Sequence, residues 1–329
     1  MQKVKKKDEV DVVFASDEYY FPYIYIAVET LYENNKNIKN LNVHYIEQDV
    51  SKNSLDILNN LASKYQRSID IRPLEMPEVF MEILPNCGPS SKTTYAKFWF
   101  ASMFPDLDRL LYLDPDVLVL KSIEDFYNID FEDNLIAGVI ENLPTYHTLA
   151  SKMKVTDHYI NGGMVLCNLK LWREEKIGNK FVERLKDTSH NLNYDQGILN
   201  EVCRGKILIV PPKYNALAEI FEFKNVKKII KRYGFQSYYS QAEVDEAVND
   251  PVIIHFTHFL YGKPLSKKCD HPYANYYRKL VENSPVSYAL NDDDIDKSFK
   301  IRKLVLRHMP FKMYLAFENM LDRKRKKVI

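Results

Sequence analysis

The sequence predicts an α/β fold with a mostly parallel central sheet and helices on its faces. Two observations predict it. Short Val- and Ile-rich runs alternate with stretches whose apolar residues recur at helical spacing. The 329 residues, with 23 Tyr and 17 Phe, supply a sizeable core for one large domain plus an extension, or for two smaller domains.

EVDVVFAS opens the series as a strand from Val10 to Ala15. FPYIYIAVETLYENN follows as a helix, with Ile24, Val28 and Leu31 at helical spacing and Pro22 at an early position that needs no N–H. LNVHYIEQ reads as a strand, SKNSLDILNNLASKY as a helix capped by Ser51 or Asn53, and SIDIRPL as a third strand. SKTTYAKFWFASMFP reads as a helix stopped near Pro105. RLLYLDPDVLVL and NLIAGVIE read as strands, NLPTYHTLASKMKVTDH as irregular, and YINGGMVLCNLKLWREE as a strand entering a helix. YDQGILNEVCRG is a short helix, KILIVPPKYN a strand leaving the core, and PVIIHFTHFLYGKPL a late strand running into a polar loop.

Bulk properties exclude several classes. The formal net charge of +1 gives no global basic field, so nucleic acid is not an expected partner. Cys87, Cys167, Cys203 and Cys269 are far apart, with no zinc spacing, and a reducing, cytoplasmic location is the expectation. The N-terminal lysines are followed by Asp8 and Glu9 instead of an apolar stretch, unlike a signal peptide. No apolar run is long enough to cross a bilayer.

One strand poses a problem. LYLDPDVLVL places Asp114 and Asp116 among strand formers, and a buried carboxylate needs a partner. If the strand continues through Pro115, residues two apart point the same way and the carboxylates converge. A helix end, an arginine or a divalent cation would each answer the charge. Oxygen ligands suit Mg²⁺ or Mn²⁺. His255, closing the apolar run PVIIH, is a candidate third ligand. The bland alternatives are a capping DxD and a hydrogen-bonded core histidine.

Taken together, the motifs resemble those of glycosyltransferase family 8, retaining enzymes that use nucleotide sugars, among them bacterial lipopolysaccharide galactosyl- and glucosyltransferases and glycogenins. The resemblance runs from about Val10 to Leu265 through FASDEYY, TTYAKFW, LYLDPDVLV, YINGGMVLCNLKLW, NYDQGILN and HFTHFLYGKPL, in family order. It implies a GT-A type fold, with the sugar nucleotide near the carboxyl ends of the parallel strands.

The resemblance implies roles residue by residue. Ala15 and Ser16 line the base and ribose, Asp17 accepts from the uracil imide, and Tyr20 stacks; Ser16-Asp17 also reads as a helix cap. Lys97, where the family commonly has arginine, lies on the phosphate side, and a solvated helix face is its plain alternative. Asp114, Asp116 and His255 hold Mn²⁺, with Mg²⁺ as the alternative, and Asp114 also reaches the ribose. Lys263 binds the diphosphate. Glu141, Asn161 and Gly162 surround the sugar; NGG is equally a turn signal. Asp195 holds the donor sugar, and Gln196 lies by the anomeric carbon. Glutamine is a poor nucleophile, which favours a front-face displacement, with Asp195 as the runner-up nucleophile. The closing motif departs from the family: His258 stands where a glycine is usual, and Leu265 replaces tryptophan.

The expected organisation is a catalytic domain over residues 1–269 and an extension over 270–329. The segment 298–329 carries ten Lys/Arg against two acidic residues, and FKMYLAFENMLDRKRKK reads as a helix with Met313, Phe317 and Met320 on one face. The resemblance implies attachment to the cytoplasmic face of an anionic inner membrane, with a helix packed on the parent domain as the alternative. The expected reaction moves glucose or galactose from a UDP-hexose to a saccharide or lipid-linked oligosaccharide, such as lipopolysaccharide. Self-glucosylation, as in glycogenin, and a UDP-sugar-binding partner with little turnover are the competing readings.

Overall fold

The computed structural model describes residues 9–84, 92–187, 194–290 and 297–326. Cys87, the N-terminal lysines and the acidic NDDDID stretch lie outside the described residues. The strands are β1 (Glu9–Asp17), β2 (Asn40–Gln48), β3 (Ile69–Pro73), β4 (Leu110–Leu113), β5 (Val117–Val119), β6 (Ile136–Gly138), β7 (Met164–Cys167), β8 (Ile207–Ile209), β9 (Ala216–Leu217) and β10 (Ile253–His255). Among the described residues, seven of these strands form one sheet in the order β3-β2-β1-β4-β7-β6-β8, and the other three form a small sheet, β5-β10-β9. In the large sheet β3, β2, β1 and β4 run parallel, as do β6 and β8, while β7 is antiparallel to β4 and β6. The mostly parallel α/β expectation holds.

Alternation along β1 builds a core on each face of this sheet. Val10, Val12 and Phe14 enter one apolar cluster, and Val13 and Ala15 enter the other. The Phe21–Asn34 helix buries Ile24, Val28 and Leu31 in the first cluster. Ser51 caps the Lys52–Lys64 helix by accepting from Ser54 N at 3.2 Å, which decides between the two candidate caps. From β1 the chain steps outward to β2 and β3, then returns to place β4 on the other side of β1. The crevice at the carboxyl ends of β1 and β4 is therefore a switch point, where open α/β sheets bind ligands.

Three sequence expectations change. RLLYLDPDVLVL is two strands, not one: β4 belongs to the large sheet and β5 to the small one, and Asp114-Pro115-Asp116 is the crossing. Proline in the run cannot donate to a ladder, which ends the first strand there. The helix expected over SKTTYAKFWFASMFP is a 3₁₀ segment, Lys92–Trp99, with a single α turn, Phe100–Met103. Its threonines and aromatics are weak α formers, and Tyr95 and Phe98, three apart, meet with ring centroids at 5.8 Å. The irregular NLPTYHTLASKMKVTDH contains a short helix, Thr145–Ala150, started by Pro144 and too brief to show a period.

Packing continues past residue 270. The Ala274–Glu282 helix sets Tyr277 against Tyr23 of the Phe21–Asn34 helix, with ring centroids at 6.2 Å. Two further helices, Lys297–His308 and Phe311–Lys326, follow. Tyr314, fully buried, joins the same core. Glu318, also fully buried, accepts from Arg232 at 2.6 Å and from Arg302 at 2.7 Å, and Arg232 also reaches Asp322 at 2.9 Å. Of the expected apolar face, Met313 and Met320 are exposed and Phe317 is half-buried. Ile301, Leu304 and Met309 are exposed beside them in the chain.

Candidate active site

A cleft of about 300 Å³ opens at the switch point, and Ala15, Ser16 and Tyr20 from the end of β1 face Asp114, Asp116 and Lys263 across it. Strand register assembles its centre. β10 lies antiparallel to β5 with His255 opposite Val117, so the last residue of β10 arrives beside Asp116. Phe256 N donates to Asp116 O at 3.0 Å and fixes that approach. On the other side β4 pairs with β7, and Asp114 N donates to Gly163 O at 2.7 Å.

The carboxylates thus converge although the strand does not continue through them. His255 Nε2 lies 3.4 Å from Asp116 Oδ1 and 3.7 Å from Asp114 Oδ2. One ligand atom from each of the three residues falls within 4.8 Å of the others. Tyr112 OH donates to Asp114 Oδ1 at 2.6 Å, and Lys263 forms an ion pair with Asp116. Burial opposes ionisation of Asp116, but Lys263 and His255 hold its carboxyl well below the usual range. Burial alone would depress His255; the Asp116 charge and hydrogen bond, with Asp114 behind them, turn the shift upward.

The donor set fits a divalent cation. Two carboxylates and one imidazole make a mixed oxygen–nitrogen set. The fit is reinforced by Gly163, which sequence reading passed over. A Cβ there would stand 2.3 Å from both Asp114 Oδ2 and His255 Cε1, so only glycine leaves room for this triad. The doubled glycine of YINGGM was the available signal.

A second group adjoins the triad. Gly162 N donates to Gln196 Oε1 at 2.8 Å, and Asn161 Nδ2 donates to Glu141 Oε2 at 2.6 Å. Asn161 Oδ1 accepts from Gly163 N and from Asn215 Nδ2, both at 3.0 Å, tying the two groups together. Lys97 is buried, not solvated; its ammonium donates to Asp195 Oδ2 at 2.5 Å and to Gly162 O at 3.1 Å, above the Tyr112 ring. Burial raises Asp195 despite that ammonium. Asp17 is apart from the cleft lining: its Oδ1 accepts from Tyr20 N at 3.2 Å, so its capping role is realised. Ser16 is buried and shares a 2.9 Å hydrogen bond with Tyr45 OH. Gly262, just before Lys263, has φ +78°, a left-handed turn that suits glycine. His258 is exposed and meets Phe299 edge-on.

One buried acid was not anticipated. Glu219, at the start of the Ala218–Phe223 helix after β9, is buried, and its Oε2 has no hydrogen-bond partner among the described residues. Burial and then the charge of Glu141 push it up to about 8. No motif marks it; only the register of β9 beside β10 brings it here.

The family profile of glycosyl transferase family 8 matches residues 11–264. The chain belongs to this family. A lipopolysaccharide 1,2-glucosyltransferase of Escherichia coli is 29% identical over 292 residues, which is 86% of this glycosyltransferase and 81% of the relative. A lipopolysaccharide 1,3-galactosyltransferase of Salmonella typhimurium is 28% identical over 240 residues, 69% of this chain and 65% of the relative. Another relative, a Haemophilus influenzae protein, is matched over 63% of its length. Among solved structures, the galactosyltransferase LgtC in complex with donor and acceptor sugar analogues superposes with a TM-score of 0.68 at 23% identity, over 85% of this enzyme and 98% of that chain. That likeness gives the GT-A fold. Among the described residues no helix is long and apolar enough to cross a membrane.

Proposed function

We propose that the enzyme is a retaining hexosyltransferase that takes glucose or galactose from a UDP-sugar, with Mn²⁺ as the natural ion, and transfers it to a surface saccharide of the lipopolysaccharide kind. The observation that carries this is the Asp114–Asp116–His255 triad in a cleft at the switch point, one glycine away from the Asn161–Gly162–Gln196 group. The relatives named for lipopolysaccharide glucosyl and galactosyl transfer support an external acceptor over self-glucosylation.

In this reading Asp114, Asp116 and His255 would hold the ion, which would supply positive charge against the diphosphate leaving group. Lys263, a residue of the same cleft, exchanges Asp116 for phosphate oxygens and adds charge where charge develops. Ala15, Ser16 and Tyr20 take the nucleoside, and Asp17, capping the turn after β1, holds Tyr20 in place. Asp195, held by Lys97, and Glu141, held by Asn161, orient the sugar hydroxyls. Gln196 stands by the anomeric carbon as a neutral amide. The acceptor oxygen enters on the face that UDP leaves, its proton passing to the leaving phosphate oxygen. The test is UDP release from a panel of UDP-sugars with membrane-derived acceptor, with NMR of the product anomer. Release from one UDP-hexose with an α product upholds the reading; release only from other sugars, or an inverted product, refutes it.

Membrane attachment is part of the proposal. Exposed Ile301 and Leu304 on the Lys297–His308 helix, Met309 in the turn after it, and Met313 and Met320 on the Phe311–Lys326 helix are interspersed with Lys and Arg, a composition suited to an anionic interface.

A further inference from the structure

A second cavity, of about 260 Å³, lies between the Thr145–Ala150 helix, the end of the Val226–Tyr233 helix and the Phe311–Lys326 helix. It shares no lining residue with the donor cleft. We propose that it binds a phosphate- or carboxylate-bearing sugar, the part of the acceptor glycan beyond the hydroxyl that is glycosylated. The acceptor role rests on the transferase reading above.

Charge points to an anion. Lys231, Arg232 and Arg323 line the cavity against one carboxylate, Asp322, and that carboxylate is already engaged by Arg232 at 2.9 Å. Lys231 and Arg323 are exposed and make no ion pair with any described residue. Two free cations at the mouth of one concave site suit a charged oxygen cluster. The remaining lining points to a sugar. Thr145 and Asn319 offer a hydroxyl and an amide not spent on hydrogen bonds within the described chain, and Tyr146 adds a half-buried ring. Gly234 has φ +79°, which ends the Val226–Tyr233 helix; a Cβ there would stand 3.4 Å from Thr145 Oγ1 and narrow the space.

Position points to the acceptor. The cavity wall begins three residues after Glu141, at Pro144. From Tyr233 an aromatic ladder runs through Phe235 (5.8 Å) to Tyr238 (5.1 Å, stacked). Tyr238 OH then donates to Asn142 Oδ1 at 2.8 Å, and Asn142 N donates to Glu141 Oε1 at 2.8 Å. A glycan held at the cavity by its charged unit would find the catalytic group at the other end of this wall.

The test is calorimetric titration of the full chain with glucose 6-phosphate and with glucose, with saturating UDP and Mn²⁺ present so that the donor cleft is filled. Wild type and a Lys231→Met/Arg323→Met double variant are compared; both positions are exposed, and an unchanged melting temperature checks the fold. The expected result is binding of glucose 6-phosphate well above glucose, weakened about tenfold or more in the variant, with UDP affinity unchanged. No binding by wild type, equal binding by the variant, or loss of binding when UDP is added would overturn the site. Phosphatidylglycerol vesicles separate the two phosphate sources: loss of vesicle binding in the variant with glucose 6-phosphate unaffected would assign the cations to lipid and overturn the proposal. Glucose 6-phosphate binding by a wild type that fails to bind UDP would uphold the site and overturn its acceptor role.

Discussion

Gly163 is a single missing methyl on which the packing of Asp114 against His255 depends. Gly163→Ala would push a Cβ against Asp114 and His255 at 2.3 Å, and we expect Mn²⁺ affinity to fall about tenfold or more, measured by titration on folded protein. The Asp pair and His255 were legible as letters, but the clearance between them is a property of three strands from distant parts of the chain. His255 adds a pH signature. Its pKa is raised, so protonation competes with the ion, and Mn²⁺ affinity should increase as pH rises through that value. An affinity that falls over the same rise would contradict the ligand set. Glu219 gives an independent signature in stability. A carboxyl moved from 4.5 up to about 8 favours the fold below its ordinary value and loses that contribution as pH rises through about 8. Melting temperature should therefore decline between those limits in wild type and be flatter in Glu219→Gln.

At the scale of elements, the alternation of strand and helix through β3 followed directly from apolar periodicity, because those segments are long and cover both faces of the sheet. The short pieces did not. β4 and β5 are four and three residues long and look like one strand until pairing partners separate them. The helices Val226–Tyr233 and Gln241–Asn249 went unread, although Gly234 ends the first and the Ser240–Glu243 capping box starts the second. The last helix is held by charge in a dry setting. Removing the fully buried Glu318 carboxylate leaves Arg232 and Arg302 without it, so Glu318→Ala should cost about 3–5 kcal/mol in denaturant unfolding. A change within experimental error would mean that the Phe311–Lys326 helix is anchored by its apolar contacts alone.

Across the whole molecule, the sheet order places the cleft, while the C-terminal helices pack on the same core and leave Ile301, Leu304, Met313 and Met320 exposed. The proposed membrane attachment leads to a separable prediction: Met313→Glu with Met320→Glu should weaken sedimentation with anionic vesicles and leave UDP binding intact. The fold class was legible because pattern alone fixes a mostly parallel sheet. The partnership of β10 with β5 was not, because it joins segments more than a hundred residues apart. In the proposed function Asp114, Asp116 and His255 couple a divalent cation to UDP. The most direct test of this coupling is UDP titration with Mn²⁺ and with chelator, on wild type and on Asp116→Asn. Affinity should rise about tenfold or more with Mn²⁺ in wild type and lose that gain in the variant. Equal affinity with Mn²⁺ and chelator, or a variant that keeps the full metal effect, would contradict it.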